Sequence, residues 1–128
     1  MLVHLDTDFL VYALSVQGPE RTKLDSLAAS ESEIEISAVA WYEFSRGPRT
    51  PEQLAVARFL FGPDGIVPFS ETLAAAASDL FRSLGSPRRR AADIAIGVTA
   101  AAAGATLLTR NTKDFAGIPG LRLEAIGR

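Results

Sequence analysis

Apolar residues change their spacing from segment to segment, and each change marks an element. "LVHL" (2–5) is a short apolar run of strand length, and "DFLVYAL" (8–14) continues apolar in every register, as a buried helix does. Gly18-Pro19 interrupts the chain, after which Leu24, Leu27 and Ala28 share one face of a helix over 20–29. "EIEIS" (33–37) alternates acid with isoleucine, the period of a strand with one wet side. Ser37 is placed to cap a following helix that runs through Phe44 and stops at Gly47-Pro48.

"TPEQ" (50–53) carries a complete helix start: Thr50 as cap, Pro51 at the first helical position, Gln53 closing a capping box. Leu54, Ala57, Arg58 and Phe61 follow at helical spacing up to Gly62-Pro63. Ser70 caps the next helix, whose stripe of Leu73, Ala77, Leu80, Phe81 and Leu84 ends at Gly85. A last helix is predicted over 89–103, ended by Gly104, and "ATLLT" (105–109) and "LRLEAI" (121–126) complete the strands. Strands separated by helices predict an α/β fold: a three-layer sandwich with a central, mainly parallel sheet of about 4–5 strands flanked by helices. Ligands of such sheets bind beyond the carboxyl ends of the strands. Asp6, after the first strand, and "TRNTKD" (109–114), after "ATLL", both fall there.

Composition narrows the picture. The 128 residues suit one domain, 1–128, with 48% apolar and 22% charged residues and no low-complexity tract. Without cysteine there is no disulfide, thiolate zinc site or cysteine nucleophile, which points to reducing cytoplasm. The start lacks the basic residue and apolar run of a secretory signal. The longest uncharged stretch, 94–108, is 15 residues, short of the roughly 20 a membrane span needs, so no membrane partner is expected. A net charge of −2 gives no global attraction to polyanions, which leaves local arginine clusters to bind them.

The chemistry is narrowed by elimination. The single histidine, His4, lies inside the first strand and reads as a packed core residue. Without another there is no Ser-His-acid triad, and neither GxxxxGK[ST] nor GxGxxG occurs. What remains is acids in apolar surroundings: Asp6, Glu43 after "AVAWY", and Asp93 in "AADIAIG". Asp8 reads as a helix cap. Ionised carboxylates are costly to bury unpartnered, and two about 4 Å apart repel by roughly 4 kcal/mol at an effective dielectric of 20. If Asp6, Glu43 and Asp93 converge, a hard divalent cation with oxygen ligands, Mg²⁺ or in substitution Mn²⁺, relieves that repulsion. Its bound water can attack phosphorus without a histidine base.

Three stretches, "LDTDFLVYAL", "SAVAWYEFSRG" and "RRAADIAIGVTAAAAGATLLTRNTKDFAGIPGL", resemble in order and spacing the motifs of PIN-domain ribonucleases, most closely the VapC-type toxins of bacterial toxin-antitoxin pairs. The resemblance implies a Mg²⁺-dependent endoribonuclease with Asp6, Glu43 and Asp93 as three of its four acids. Many relatives place the fourth where Asn111 stands; here that role passes to Asp114, with Asn111 and Thr109 supporting it. Asp6 and Asp93 are the expected metal ligands, and Glu43 positions water or a second ion. Arg88, Arg89 and Arg90, and with less weight Arg46 and Arg110, are candidate contacts to the RNA backbone. The family also implies a homodimer, in the cytoplasm, neutralised by a small VapB-type antitoxin whose helix fills an apolar groove; Phe9, Tyr12, Trp41 and Phe44 are candidates to line it.

Two alternatives stand beside this reading. "DTDFL" is also similar to the DxDx[TV] start of haloacid-dehalogenase-type phosphatases, in which Asp6 would be a covalent nucleophile; those enzymes also want a lysine before their last acidic pair, and of the two lysines here, Lys23 and Lys113, neither is well placed for it. A phospho-receiver module shares the acids after the first strand and a late lysine, but needs an Asp ending its third strand, and no Asp lies between Glu43 and Asp64.

Overall fold

The structure, a computed structural model, describes residues 1–127. Five strands form one sheet: β1 (Leu2–Leu5), β2 (Glu33–Ser37), β3 (Ile66–Val67), β4 (Thr106–Thr109) and β5 (Arg122–Ala125), in the order β3-β2-β1-β4-β5. Every neighbouring pair is parallel, with Val3 opposite Ile34 on one side and Thr106 on the other. Six helices connect them: α1 (Thr7–Ser15), α2 (Pro19–Ala29), α3 (Ala38–Ser45), α4 (Pro51–Phe61), α5 (Glu71–Ser83) and α6 (Ala91–Ala103). The chain leaves β1 toward β2 and returns on the opposite side as β4, so a crevice opens between the carboxyl ends of β1 and β4 where the connections diverge.

Local chemistry explains where the helices start. Ser37 accepts from Val39 and Ala40, Thr50 and Gln53 exchange both bonds of a capping box, and Ser70 accepts from the Leu73 N–H. Asp6, not Asp8, caps α1, its Oδ1 accepting from the Thr7 N–H at 2.7 Å. The last helix begins at Ala91 rather than at 89, because Arg88–Arg90 wind as a tighter 3₁₀ turn after Pro87. β3 carries no sequence signal: two residues are too few to display a period.

The core lies on both sheet faces. Phe9, Phe44 and Phe115 join Leu5, Leu10, Ile36, Ile94, Ile96, Leu107 and Leu108 in full burial, each worth about 1.5–3 kcal/mol over exposure. Trp41 stacks on Phe44 at 5.8 Å and meets Phe61 edge-on at 6.1 Å. α6 buries an unbroken run from Ile94 to Ala100, and Gly97 within it lets the following segment approach closely: an added Cβ would lie 2.4 Å from Ile118 Cδ1 and force that side chain to shift. The segment between β4 and β5 thereby packs flat on α6.

The burial corrects the expected groove lining. Phe9 and Phe44 are fully enclosed and line no surface; Tyr12 is exposed and Trp41 half-buried. A hydrophobic residue on a buried helix is drawn inward by the sheet beneath it, which its own helix cannot reveal. A groove of mixed lining, about 750 Å³, instead runs between α1, α2 and α4 past Ala13, Leu14, Leu24, Ile34 and Leu60 and the charged Arg21 and Asp25, with Phe59 beside them. No helix among the described residues is long and apolar enough to cross a membrane.

Candidate active site

The crevice beyond β1 and β4 is a polar cavity of about 320 Å³. Asp6, Asp8, Glu43, Asp93 and Asp114 line it, with Thr7 and one cation, Arg46. Five carboxylates thus face one guanidinium. Each arrives on a different part of the fold: Asp6 at the end of β1, Asp8 in the first turn of α1, Glu43 on α3, Asp93 in the first turn of α6, and Asp114 on the 3₁₀ turn after β4 (Thr112–Phe115).

Hydrogen bonds hold most of these acids in place. Thr109, fully buried, donates its hydroxyl to Asp6 Oδ2 at 2.8 Å and accepts from the Asn111 N–H at 3.1 Å. Asn111 caps the 3₁₀ turn through Lys113 N and donates Nδ2 to Asp114 Oδ2 at 3.2 Å. Asn111 itself does not line the cavity. Thr7 donates its hydroxyl to Glu43 Oε1 at 2.9 Å, a contact across 36 positions of sequence that no local signal announces. Arg46 stands 4.0 Å from Glu43 and 5.0 Å over the Tyr42 ring.

The electrostatics follow from this crowding. Burial pushes the Asp6 carboxyl up to about 6; the Thr109 hydroxyl and Thr7 N–H oppose the shift, while Asp8 and Glu43 add to it. Asp93 is driven up to about 7, by burial first and then by the charges of Asp6, Asp114, Glu43 and Asp8. Four acids from three distant segments act on one carboxyl, so they share a single field. Among the described residues no three His, Cys, Asp or Glu side chains are gathered closely enough to enclose an ion by themselves.

The arginines divide. Arg88 and Arg89 are exposed beside the start of α6, whereas Arg90 donates to the main-chain oxygens of Asp114 and Ala116 and so braces the turn that carries Asp114. Arg110 points away from the cavity: its Nε donates to Glu20 Oε2 at 3.0 Å and its guanidinium lies 3.5 Å from the Tyr12 ring centre. His4 is buried and donates or accepts at Nε2 with Glu35 at 2.9 Å, burial holding its pKa below the ordinary value against the pull of Glu35. It lines no part of the cavity.

The PIN domain family matches residues 3–121. The chain belongs to that family. Membership carries the coarser functional statement, a hydrolase acting on nucleic acid. Among solved structures the chain is similar to a chain of VapBC2 from Rickettsia felis, bound to a DNA fragment from their promoter, with TM-score 0.74 and 26% identity over 99% of this chain and 100% of that one. It is also similar to a chain of a toxin-antitoxin complex from Klebsiella pneumoniae (TM-score 0.70, 29% identity, 93% and 94% covered). FitAcB from Neisseria gonorrhoeae gives TM-score 0.69 and 27% identity over 94% of this chain and 95% of that one. No curated protein is significantly similar.

The two alternatives lose their footing. The third strand ends at Val67 and is followed by Pro68, so no Asp stands where a receiver is phosphorylated. No lysine lines the cavity; Lys23 pairs with Glu124 at 3.1 Å and Lys113 lies on the 3₁₀ turn outside it.

Proposed function

We propose that this PIN-domain chain is a Mg²⁺-dependent endoribonuclease, the toxin of a toxin-antitoxin pair, cleaving RNA phosphodiesters at the acid cavity. The observation that carries this is the cavity's imbalance: five carboxylates around about 320 Å³ with one cation, and Asp93 raised to about 7 by burial and then by the charges of its neighbours. An all-oxygen set that is not drawn together closely enough to enclose an ion suits Mg²⁺, which keeps several waters and takes one or two carboxylates, and Mn²⁺ can substitute. Asp6 and Asp93 are the proposed ligands.

When bound, the ion supplies an acidified water as nucleophile and offsets charge developing on the phosphate. The protein's own groups do the positioning. Thr109 and the Thr7 N–H fix both oxygens of Asp6, Thr7 aims Glu43, and Asn111 aims Asp114. With Oε1 bonded to Thr7, Glu43 can hold a water on its other oxygen; Arg46 is the cavity's cation for a substrate phosphate, and exposed Arg88 and Arg89 extend the strand's path.

A VapB-type antitoxin is the proposed partner, supported by neighbours solved as toxin-antitoxin complexes. The groove between α1, α2 and α4, with Leu14, Leu24 and Leu60 beside Arg21 and Asp25, suits an amphipathic helix, and Phe59, 89% exposed, offers it an aromatic contact. A homodimer in the cytoplasm completes the reading.

The test is cleavage of single-stranded RNA by the purified protein in Mg²⁺ and in EDTA, beside Asp6→Asn and Asp93→Asn. Cleavage that needs the metal and both acids is expected. Cleavage persisting in EDTA, or undiminished in both variants, rejects the mechanism.

A further inference from the structure

Glu20 is a buried acid that the cavity does not use. It lies in the first turn of α2, 4% exposed, and its carboxylate is enclosed: an added Cβ at Gly127 would fall 1.6 Å from Oε2, and one at Gly18 would fall 3.5 Å from Oε1. Its charged partner is Arg110 at 3.0 Å. The same guanidinium is covered on its face by the Tyr12 ring, 3.5 Å from the ring centre. A planar cation held at one edge by a carboxylate and on one face by an aromatic ring has little freedom left.

Its place in the chain gives the clamp a consequence. Arg110 stands between Thr109, whose hydroxyl bonds Asp6, and Asn111, whose amide bonds Asp114. The main chain here is tied on the other side as well, the Ile126 N–H donating to Thr109 O at 2.9 Å. Side chains 109 and 111 reach the acids Asp6 and Asp114, while side chain 110 reaches back to α1 and α2. Fixing the middle residue therefore fixes both of its neighbours' aim.

We infer that Glu20 is a positioning residue of the acid cavity, acting through Arg110 and Tyr12 to hold the 109–111 segment that orients Asp6 and Asp114. This rests on the nuclease reading of that cavity, and it makes Arg110 an anchor rather than a contact to RNA. The chemistry predicts a kcat effect: substrate binding is untouched, while acids displaced by a fraction of an ångström lose their alignment at the reacting atoms.

The experiment compares wild type with Glu20→Gln, Tyr12→Leu, Arg110→Met and, as a control on the same helix as Glu20, Lys23→Ala. Hydrogen-deuterium exchange of residues 106–114 and steady-state cleavage of a single-stranded RNA are read on each. In Glu20→Gln, exchange rises in that segment above the rest of the chain, and kcat falls by about tenfold to a hundredfold with KM within about twofold. Arg110→Met matches it, Tyr12→Leu moves the same way by less, and Lys23→Ala changes neither. Should Glu20→Gln fail to fold, Tyr12→Leu decides, since that ring is 38% exposed and its loss leaves the ion pair in place. Unchanged exchange over 106–114 overturns the proposal, and so does a rise in KM with kcat intact in Arg110→Met alone, which would mean that Arg110 touches RNA. A wild type that cleaves no RNA removes the nuclease reading only, because exchange still decides whether Glu20 holds the segment.

Discussion

Glu20 and Asp93 are both carboxylates in the first turn of a helix, both withdrawn from water, and they have opposite surroundings. Glu20 meets Arg110 at 3.0 Å and an aromatic face behind it. Asp93 meets Asp6, Asp114, Glu43 and Asp8, and is pushed up to about 7. Burying a charge is unfavourable in either place, but at Glu20 the chain contains its own compensation and at Asp93 it does not. A fold keeps an uncompensated cluster at a cost to its own stability, and on the proposed reading the missing positive charge is that of a bound cation. The paired acid points inward, to architecture.

That contrast breaks most visibly in activity. Asp6→Asn and Asp93→Asn should each lower RNA cleavage by about a thousandfold or more, measured as kcat/KM in Mg²⁺, whereas the paired acid's variant loses far less. Equal losses at Glu20 and Asp93 would erase the distinction.

Stability should separate the two acids by sign. Glu20→Ala leaves Arg110 partly buried without a counter-charge and should destabilise by about 3 kcal/mol, seen as a drop in denaturant midpoint. Replacing both members, Glu20→Met with Arg110→Leu, should recover part of that loss.

Asp93→Asn should do the reverse in metal-free protein. The folded pKa of Asp93, about 7, lies above the ordinary 3.8, so its favourable contribution is full below pH ~4 and is lost as pH rises through 7. At pH 8 the variant should therefore melt higher than wild type, by about 1–2 kcal/mol after allowance for solvent screening at a half-buried site, and near pH 4 the two should coincide. Mg²⁺ at pH 8 should raise the Tm of wild type more than that of Asp93→Asn; equal shifts would mean that the acids are not the cation's site.

The smallest effect belongs to a pair that neither region needs. Lys23 and Glu124 meet at 3.1 Å with both side chains partly in water, and Lys23→Ala should change stability by no more than about 0.5 kcal/mol. A larger change would show that surface pairs here carry weight that the comparison assigns to buried ones.

Much of the frame is legible in one dimension because its signals are local. Ser37, Thr50 and Ser70 announce helix starts through side chains three residues or fewer from the N–H groups they satisfy, and the alternation of strand and helix restricts the sheet to parallel pairing. The acids are legible as anomalies: Glu43 and Asp93 interrupt apolar runs, and the structure brings both to one cavity with Asp6 and Asp114. Other features leave no local trace. β3 has two residues and no period, Asp6 rather than Asp8 takes the cap, and Arg110 reads as a free cation until Glu20, 90 positions away, is seen beside it. The aromatic residues misled for a related reason, since Phe9 and Phe44 have the same local pattern as residues at a groove and differ only in what lies beneath them.

The amino-acid order alone determined where most of the helices start, the parallel α/β class, and which side chains are out of place in their surroundings, because caps, periods and misplaced charges act over a few residues. Tertiary structure decided which of those charges meet a partner and which meet each other, because a carboxylate's burial and field are set by segments tens of positions away that arrive only when β1 and β4 lie side by side.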